Sequence, residues 1–259
     1  MNLSNNTVLI TGGTSGIGFE FAKQLVQLGN KVIITGRDAA RLKRTQDKLP
    51  QIHTIQSDVS QTREIESLYT RVTKDFPDMN ILINNAGIMR KINMHAPDFS
   101  LDHLTDEIET NLNGPIRMAA KFLPHLKTKP TAALMNVSSG LAFVPLPISP
   151  VYCATKSGLH SFTLSLRVQL KNTRVQVFEL APPATATELL VDAAEDLKGV
   201  PIMRVEDMVA AAVKGMQTDR LEIRPGSSNQ LKLMSRLAPD FILKQLSRPV
   251  DRMLASNKH

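Results

Sequence analysis

Tryptophan is absent, tyrosine occurs twice, and the one cysteine is Cys153. A single cysteine forbids an intrachain disulfide, which fits a reducing cytoplasm. Cys153 therefore reads as a small buried apolar residue. Aromatic residues make up only 4% of the chain. Nucleic-acid binding calls for stacked rings beside a clustered basic face, so that class is set aside. No apolar run approaches the roughly 20 residues that cross a bilayer. The opening stretch MNLSNNT is polar, so no signal peptide is expected. Internal repeats and low-complexity linkers are also missing. What is present is a chain of 259 residues, 42% hydrophobic, with a net charge of +7 that weakly favours anionic ligands. That length and apolar content suit one α/β core.

Short β-rich runs alternate with helical patterns. The strand candidates are TVLI (7–10), KVIIT (31–35), HTIQ (53–56), ILIN (81–84), ALMNV (133–137), VQVFEL (175–180) and RLEI (220–223). Several are apolar throughout, as strands covered on both faces should be. Ile17, Phe21, Leu25 and Leu28 recur at helical spacing between the first two, and further helices are expected over 60–75, 102–125, 152–170 and 206–217. The alternation predicts a doubly wound, Rossmann-type fold: a mostly parallel, seven-stranded sheet with helices on both faces. Residues 1–226 would form this dinucleotide-binding and catalytic unit. Residues 227–259 lie beyond the last strand and read as a helical appendage, which Pro239 and Pro249 should break into short helices.

Two stretches carry chemistry. In TVLITGGTSGIGFEFA, Gly12, Gly16 and Gly18 lie between a strand and a helix start at Ile17. Glycine allows a tight turn and close backbone approach to a pyrophosphate, and the helix N-terminus adds free N–H groups. In VYCATK, Tyr152 and Lys156 stand four residues apart, on one face of a helix. No metal site is expected.

With NNAG at 84–87 between them, and with Ser139 thirteen residues before Tyr152, these motifs resemble the short-chain dehydrogenase/reductase family over roughly residues 5–225. VYCATK, LAPP and the appendage look most like its DltE-type bacterial members. The resemblance implies a catalytic set of Asn111, Ser139, Tyr152 and Lys156. It implies cofactor contacts from Gly12, Thr14, Ser15, Gly16, Ile17, Gly18, Asp58, Val59, Asn85, Ala86, Gly87, Pro182, Thr185 and Thr187, with Tyr152 and Lys156 also touching the cofactor. In the family an acid after the second strand binds the ribose of NAD. Here Gly36 occupies that slot and Arg37 follows it, so NADP(H) is expected over NAD(H). Asp38 is a neighbour that would weaken Arg37. Ser15 stands where many NADP users carry a second basic residue. Tyr152 would act as general acid and base, its phenol drawn below the ordinary value near 10 by Lys156 and the nicotinamide charge. Ser139 would hydrogen-bond the substrate oxygen, Lys156 would hold the ribose, and Asn111 would bind a water leading to solvent. Pro183 departs from the family, which has glycine there. A locally rearranged but working loop is the expectation.

The substrate is expected to be a lipophilic carbonyl compound or secondary alcohol. Leu141, Phe143 and Leu146 between Ser139 and Tyr152, Met89 and Met94 after NNAG, and Leu189, Leu190 and Leu197 on a lid over 188–204 suggest an apolar pocket. The alternative is a cofactor-binding regulatory protein with little turnover. Family members pair through the helices holding Asn111 and Tyr152, so a homodimer is expected, with a tetramer as the larger option. The appendage is expected to pack on protein rather than on a membrane.

Overall fold

In the computed structural model, described over residues 1–95, 101–193 and 199–255, all seven strands lie in one sheet. They are β1 (Thr7–Ile10), β2 (Lys31–Gly36), β3 (His53–Gln56), β4 (Met79–Asn84), β5 (Ala132–Val137), β6 (Val175–Leu180) and β7 (Glu222–Ile223). Their order is β3-β2-β1-β4-β5-β6-β7, and every neighbouring pair is parallel. Successive side chains of a strand face opposite ways, so a strand covered on both sides must be apolar at every position. β1 shows this: Val8 and Ile10 face one core with Phe21, Leu25 and Phe178, while Leu9 faces the other with Ile33, Leu82 and Phe122.

Eight helices of ten residues or more appear among the described residues: α1 (Gly16–Gln27), α2 (Ala39–Lys48), α3 (Thr62–Asp75), α4 (Gly114–Leu126), α5 (Pro150–Gln169), α6 (Val205–Gln217), α7 (Ser227–Leu237) and α8 (Pro239–Ala255). α1 and α6 supply the first core; α3, α4 and α5 contribute to the second. The strand order reverses between β1 and β4, which opens a crevice at their C-terminal ends, where this architecture binds ligands.

Four expectations change. α2 carries no apolar stripe, only Leu42 and Thr45 being buried, so periodicity does not show it. The helix expected over 102–125 is interrupted: Leu101–Leu104 and Asp106–Ile108 are short, and Glu109–Asn113 forms a π turn before α4. β7 has two residues rather than four. Pro249 lies within α8 instead of ending it, whereas Pro239 does begin a new helix.

Candidate active site

The turn after β1 is shaped by close approach. Gly12 has φ +66°, and a Cβ there would stand 2.7 Å from the Ala86 Cα. Gly18 leaves no room either: a Cβ would meet the Gly12 carbonyl at 2.3 Å and the Asn85 amide at 2.5 Å. The NNAG segment clasps this turn. The Thr11 hydroxyl accepts from the Asn85 and Ala86 backbone N–H groups at 3.0 Å, and Asn85 Nδ2 donates to the Thr11 and Gly12 carbonyls. NNAG sits at the end of the central strand β4. At the start of α1 the Ser15 hydroxyl makes no capping bond and the first turn holds no acid, so its N–H groups are free to receive an anion. Gly16, with φ +53°, approaches Thr187, whose hydroxyl donates to Thr185. Glycines that hold the backbone open beside a free helix N-terminus fit a dinucleotide pyrophosphate. A cleft of about 630 Å³ opens here, beside Gly16, Phe19, Thr187 and Leu190, rather than over Tyr152.

At the end of β2, a Cβ on Gly36 would press on the Thr14 methyl at 3.0 Å, so the slot is tight for an acid. Arg37 is exposed. Asp38 does not spend its charge on Arg37: its carboxylate caps α2, accepting from Ala40 N at 2.8 Å and Arg41 N at 3.0 Å. The backbone N–H of Arg41 is the main influence holding that carboxyl below its ordinary value. Arg41, one turn on, pairs with Glu188 at 3.1 Å, joining α2 to the segment after β6. Asp58 accepts from Ser60 N, and Val59 is buried against Gly114.

The four residues of the expected catalytic set come from separate elements. The π turn places Asn111 so that its Oδ1 accepts from Ile88 N at 2.9 Å and its Nδ2 donates to Ile88 O at 2.8 Å. Ser139 follows β5. On α5, Lys156 is buried, and its Nζ donates to the Val137 carbonyl at 2.9 Å and lies 5.6 Å from the Tyr152 ring centroid. A Cβ on Gly87 would stand 3.3 Å from Asn111 Oδ1 and 3.6 Å from Lys156 Nζ, so these groups surround one spot. Burial lowers Lys156 to about 8. Burial also drives the Tyr152 phenol above its ordinary value, opposed by a hydrogen bond with Ser139. In the chain alone, desolvation of the phenolate outweighs what its own groups supply; the nicotinamide charge on which the expected lowering also rests is not among them. Burial raises Cys153 to about 11, in keeping with an inert core thiol.

The loop bearing Pro183 is braced without glycine. Gly140 N donates to Pro182 O at 2.8 Å, the Thr185 hydroxyl donates to Pro183 O, Ala186 N donates to Met203 O, and Met203 N donates to Ala184 O. Met94 is exposed, but Met89, Leu141 and Leu146 belong to the cluster around Tyr152. Phe143 instead meets His160 edge-on at 5.1 Å. Leu189 is partly exposed, and Leu197 lies outside the described residues.

Two groups escaped the sequence reading. Glu107, fully buried one turn before Asn111, accepts from Arg90 N at 3.0 Å. Burial raises its carboxyl, and its charge disfavours the Tyr152 phenolate. His160, one turn after Lys156, meets the buried Glu179 carboxylate at 2.8 Å, and Ser138 Oγ donates to the same carboxylate at 2.6 Å. Their i,i+4 spacing from Asn111 and Lys156 was the available signal. No cluster of three metal-ligating side chains occurs among the described residues.

A family described as short chain dehydrogenase matches residues 6–198. The uncharacterized oxidoreductase DltE of Bacillus subtilis (strain 168) is 43% identical over 249 residues, covering 95% of this chain and 98% of its own. A short-chain dehydrogenase from Sphingobium yanoikuyae in complex with NADPH shares 28% identity at a TM-score of 0.75, covering 84% of this chain and 87% of that one. One from Burkholderia phymatum in complex with NAD shares 21% identity at a TM-score of 0.81, covering 90% and 94%.

Proposed function

The chain belongs to the short-chain dehydrogenase family and is an NAD(P)-dependent oxidoreductase, and on that premise we propose that it reduces lipophilic carbonyl compounds, or oxidises the matching alcohols, with NADP(H). The observation that carries this reading is the convergence of Asn111 and buried Lys156 beside Gly87, with Tyr152 on the same helix face as Lys156. The nicotinamide cofactor supplies the hydride when bound. Gly12 and Thr14 to Gly18 hold its pyrophosphate. Asp58, Val59, Asn85, Ala86 and Gly87 line the adenosine and ribose side, and Pro182, Thr185 and Thr187 the nicotinamide side. Arg37 binds the adenosine 2′-phosphate, and Gly36 leaves no acid to repel it.

Tyr152 Oη gives its proton to the substrate oxygen in reduction and recovers it in oxidation. Burial keeps the phenol protonated at neutral pH in the chain alone, and a positive charge beside it when the cofactor is bound would ease the transfer. Ser139 Oγ donates to the same oxygen and shares its developing charge. Lys156 holds the ribose, and Asn111 carries the path by which the proton is replaced. The reading extends to a cytoplasmic homodimer, larger assemblies being tetramers. Tyr152→Phe tests the chemistry. Turnover of a carbonyl panel with NADPH should collapse while NADPH still binds by fluorescence titration. Near-normal turnover would remove Tyr152 from the reaction.

A further inference from the structure

Ser139 leads from the end of β5 into a short turn, Gly140–Ala142. A buried carboxylate lies behind that turn. Glu179 of β6 is fully buried, in register between Asn136 of β5 and Glu222 of β7. Ser138 Oγ donates to its Oε1 at 2.6 Å, and His160 Nδ1 faces Oε2 at 2.8 Å and Oε1 at 3.0 Å. An ionised carboxyl can only accept, so it keeps the imidazole hydrogen on Nδ1. A buried carboxylate without partners is costly, so the three side chains are held in one arrangement. Among the described residues, the side-chain bonds of Glu179 go to Ser138 and His160 alone. The imidazole in turn meets Phe143 edge-on at 5.1 Å, just past the turn. α7 clamps the turn from its other side: Ser228 is fully buried, and a Cβ on Gly140 would stand 2.7 Å from its hydroxyl. Lys232 of α7 lies 5.1 Å from the Phe143 ring centroid and pairs with Glu222, which Arg224 also meets at 3.4 Å.

We propose that Glu179 and His160 are positioning residues for the reaction: together they fix the turn that aims the Ser139 hydroxyl at the substrate oxygen. The inference rests on the role given to Ser139 above. The pair grips the chain on both sides of Ser139, through the Ser138 hydroxyl and the Phe143 ring. The Ser139 hydroxyl itself accepts from Leu141 N at 3.1 Å and bonds with Tyr152, so its direction follows the backbone of the turn. Lys156 holds the Val137 carbonyl and Pro182 O holds Gly140 N, which leaves Ser138 as the point where the carboxylate sets the register. A misplacement of about 1 Å can cost about a hundredfold in rate, so a small slip of this turn is enough to matter.

The test uses the full chain with NADPH and a panel of hexanal, benzaldehyde and cyclohexanone. His160→Leu and Glu179→Leu should each lower kcat about tenfold or more, with KM and NADPH affinity little changed. His160→Asn should restore most of kcat, because its Nδ2 can donate from the place of Nδ1. In a Ser139→Ala background the leucine substitutions should cause no further loss, since the group they misplace is gone. A merely structural role would lower the rate alike in both backgrounds. Thermal unfolding checks that each variant folds, and if Glu179→Leu does not, the His160 variants carry the comparison. Where Ser139→Ala leaves no measurable rate, a crystal structure of His160→Leu decides. A Ser139 hydroxyl turned away from Tyr152 supports the proposal, and an unmoved one overturns it. Wild-type kcat in His160→Leu, or losses that multiply in the double variants, also overturn it and leave the functional reading standing. If Ser139→Ala keeps wild-type turnover, or if no carbonyl of the panel is reduced, the functional reading falls and takes this proposal with it.

Discussion

Lys156 carries a cost that its proposed role explains. Burial holds it near 8 against an ordinary value of 10.5. Between those values the unfolded chain keeps a proton that the folded chain has lost, so this group's contribution to stability improves as pH climbs from about 8 towards 10.5. Below 8 the full penalty of a buried ammonium is present. Lys156→Met should therefore raise the unfolding free energy at neutral pH by on the order of 2 kcal/mol, with the gain shrinking above pH 8, while turnover is lost. Chemical denaturation across that pH range checks it; a destabilised variant would mean that the bond to Val137 outweighs desolvation. Arg37→Ala should weaken NADPH by about 1.5–3 kcal/mol and NADH far less, since only NADPH carries the 2′-phosphate. Equal losses in titrations of both cofactors would exclude Arg37 as the discriminator. At this scale residue types and their spacing were readable in the sequence, but burial was not. Tyr152 and Lys156 were therefore legible as neighbours, whereas the desolvation that raises the tyrosine in the chain alone was not.

The strand–turn–helix unit at the front of the crevice was the most legible element, because its glycines answer to sterics that any such turn must meet. Gly18→Ala drives a methyl into the Gly12 carbonyl and the Asn85 amide. The turn must shift, at a cost of about 1–3 kcal/mol, and NADPH affinity should fall with it. Differential scanning calorimetry and cofactor titration read the two effects, and wild-type values for both would show that the clasp between NNAG and the turn yields easily. Helices with a buried stripe were legible for a similar reason, as with Ile65, Leu68 and Val72 on α3. α2 was not, because it touches the core through little more than Leu42 and owes its start to the Asp38 cap. The π turn at Asn111 was invisible to a 3.6-residue period, since it is a local departure from that period. The continuation of α8 through Pro249 also escaped: proline disfavours a helix interior, but here the residue is buried against the fold and packing prevails.

For the whole molecule, strand alternation was enough to reach a seven-stranded parallel sheet, because right-handed crossovers leave few other arrangements. The packing of the last two helices could not be read that way, since nothing in an amphipathic segment names the surface it covers. The same ambiguity bears on assembly. α5 turns one face inward with Tyr152 and Lys156, and its outer face exposes Leu164 at 39% and Val168 at 66%, four residues apart. Two apolar side chains in one helical row, on the helix through which relatives of this kind are expected to pair, favour an isologous contact with a second copy. A charge placed in such a contact is buried without a partner and should split it. Val168→Arg is therefore expected to halve the mass seen by size-exclusion chromatography with light scattering, leaving the far-ultraviolet circular dichroism of the fold intact. An unchanged mass in the variant, or a monomeric wild-type chain, would exclude pairing through this face. That outcome would leave the Tyr152 site without a subunit contact behind α5, and its rigidity would then rest on the β5 and β6 ends and on the α7 clamp.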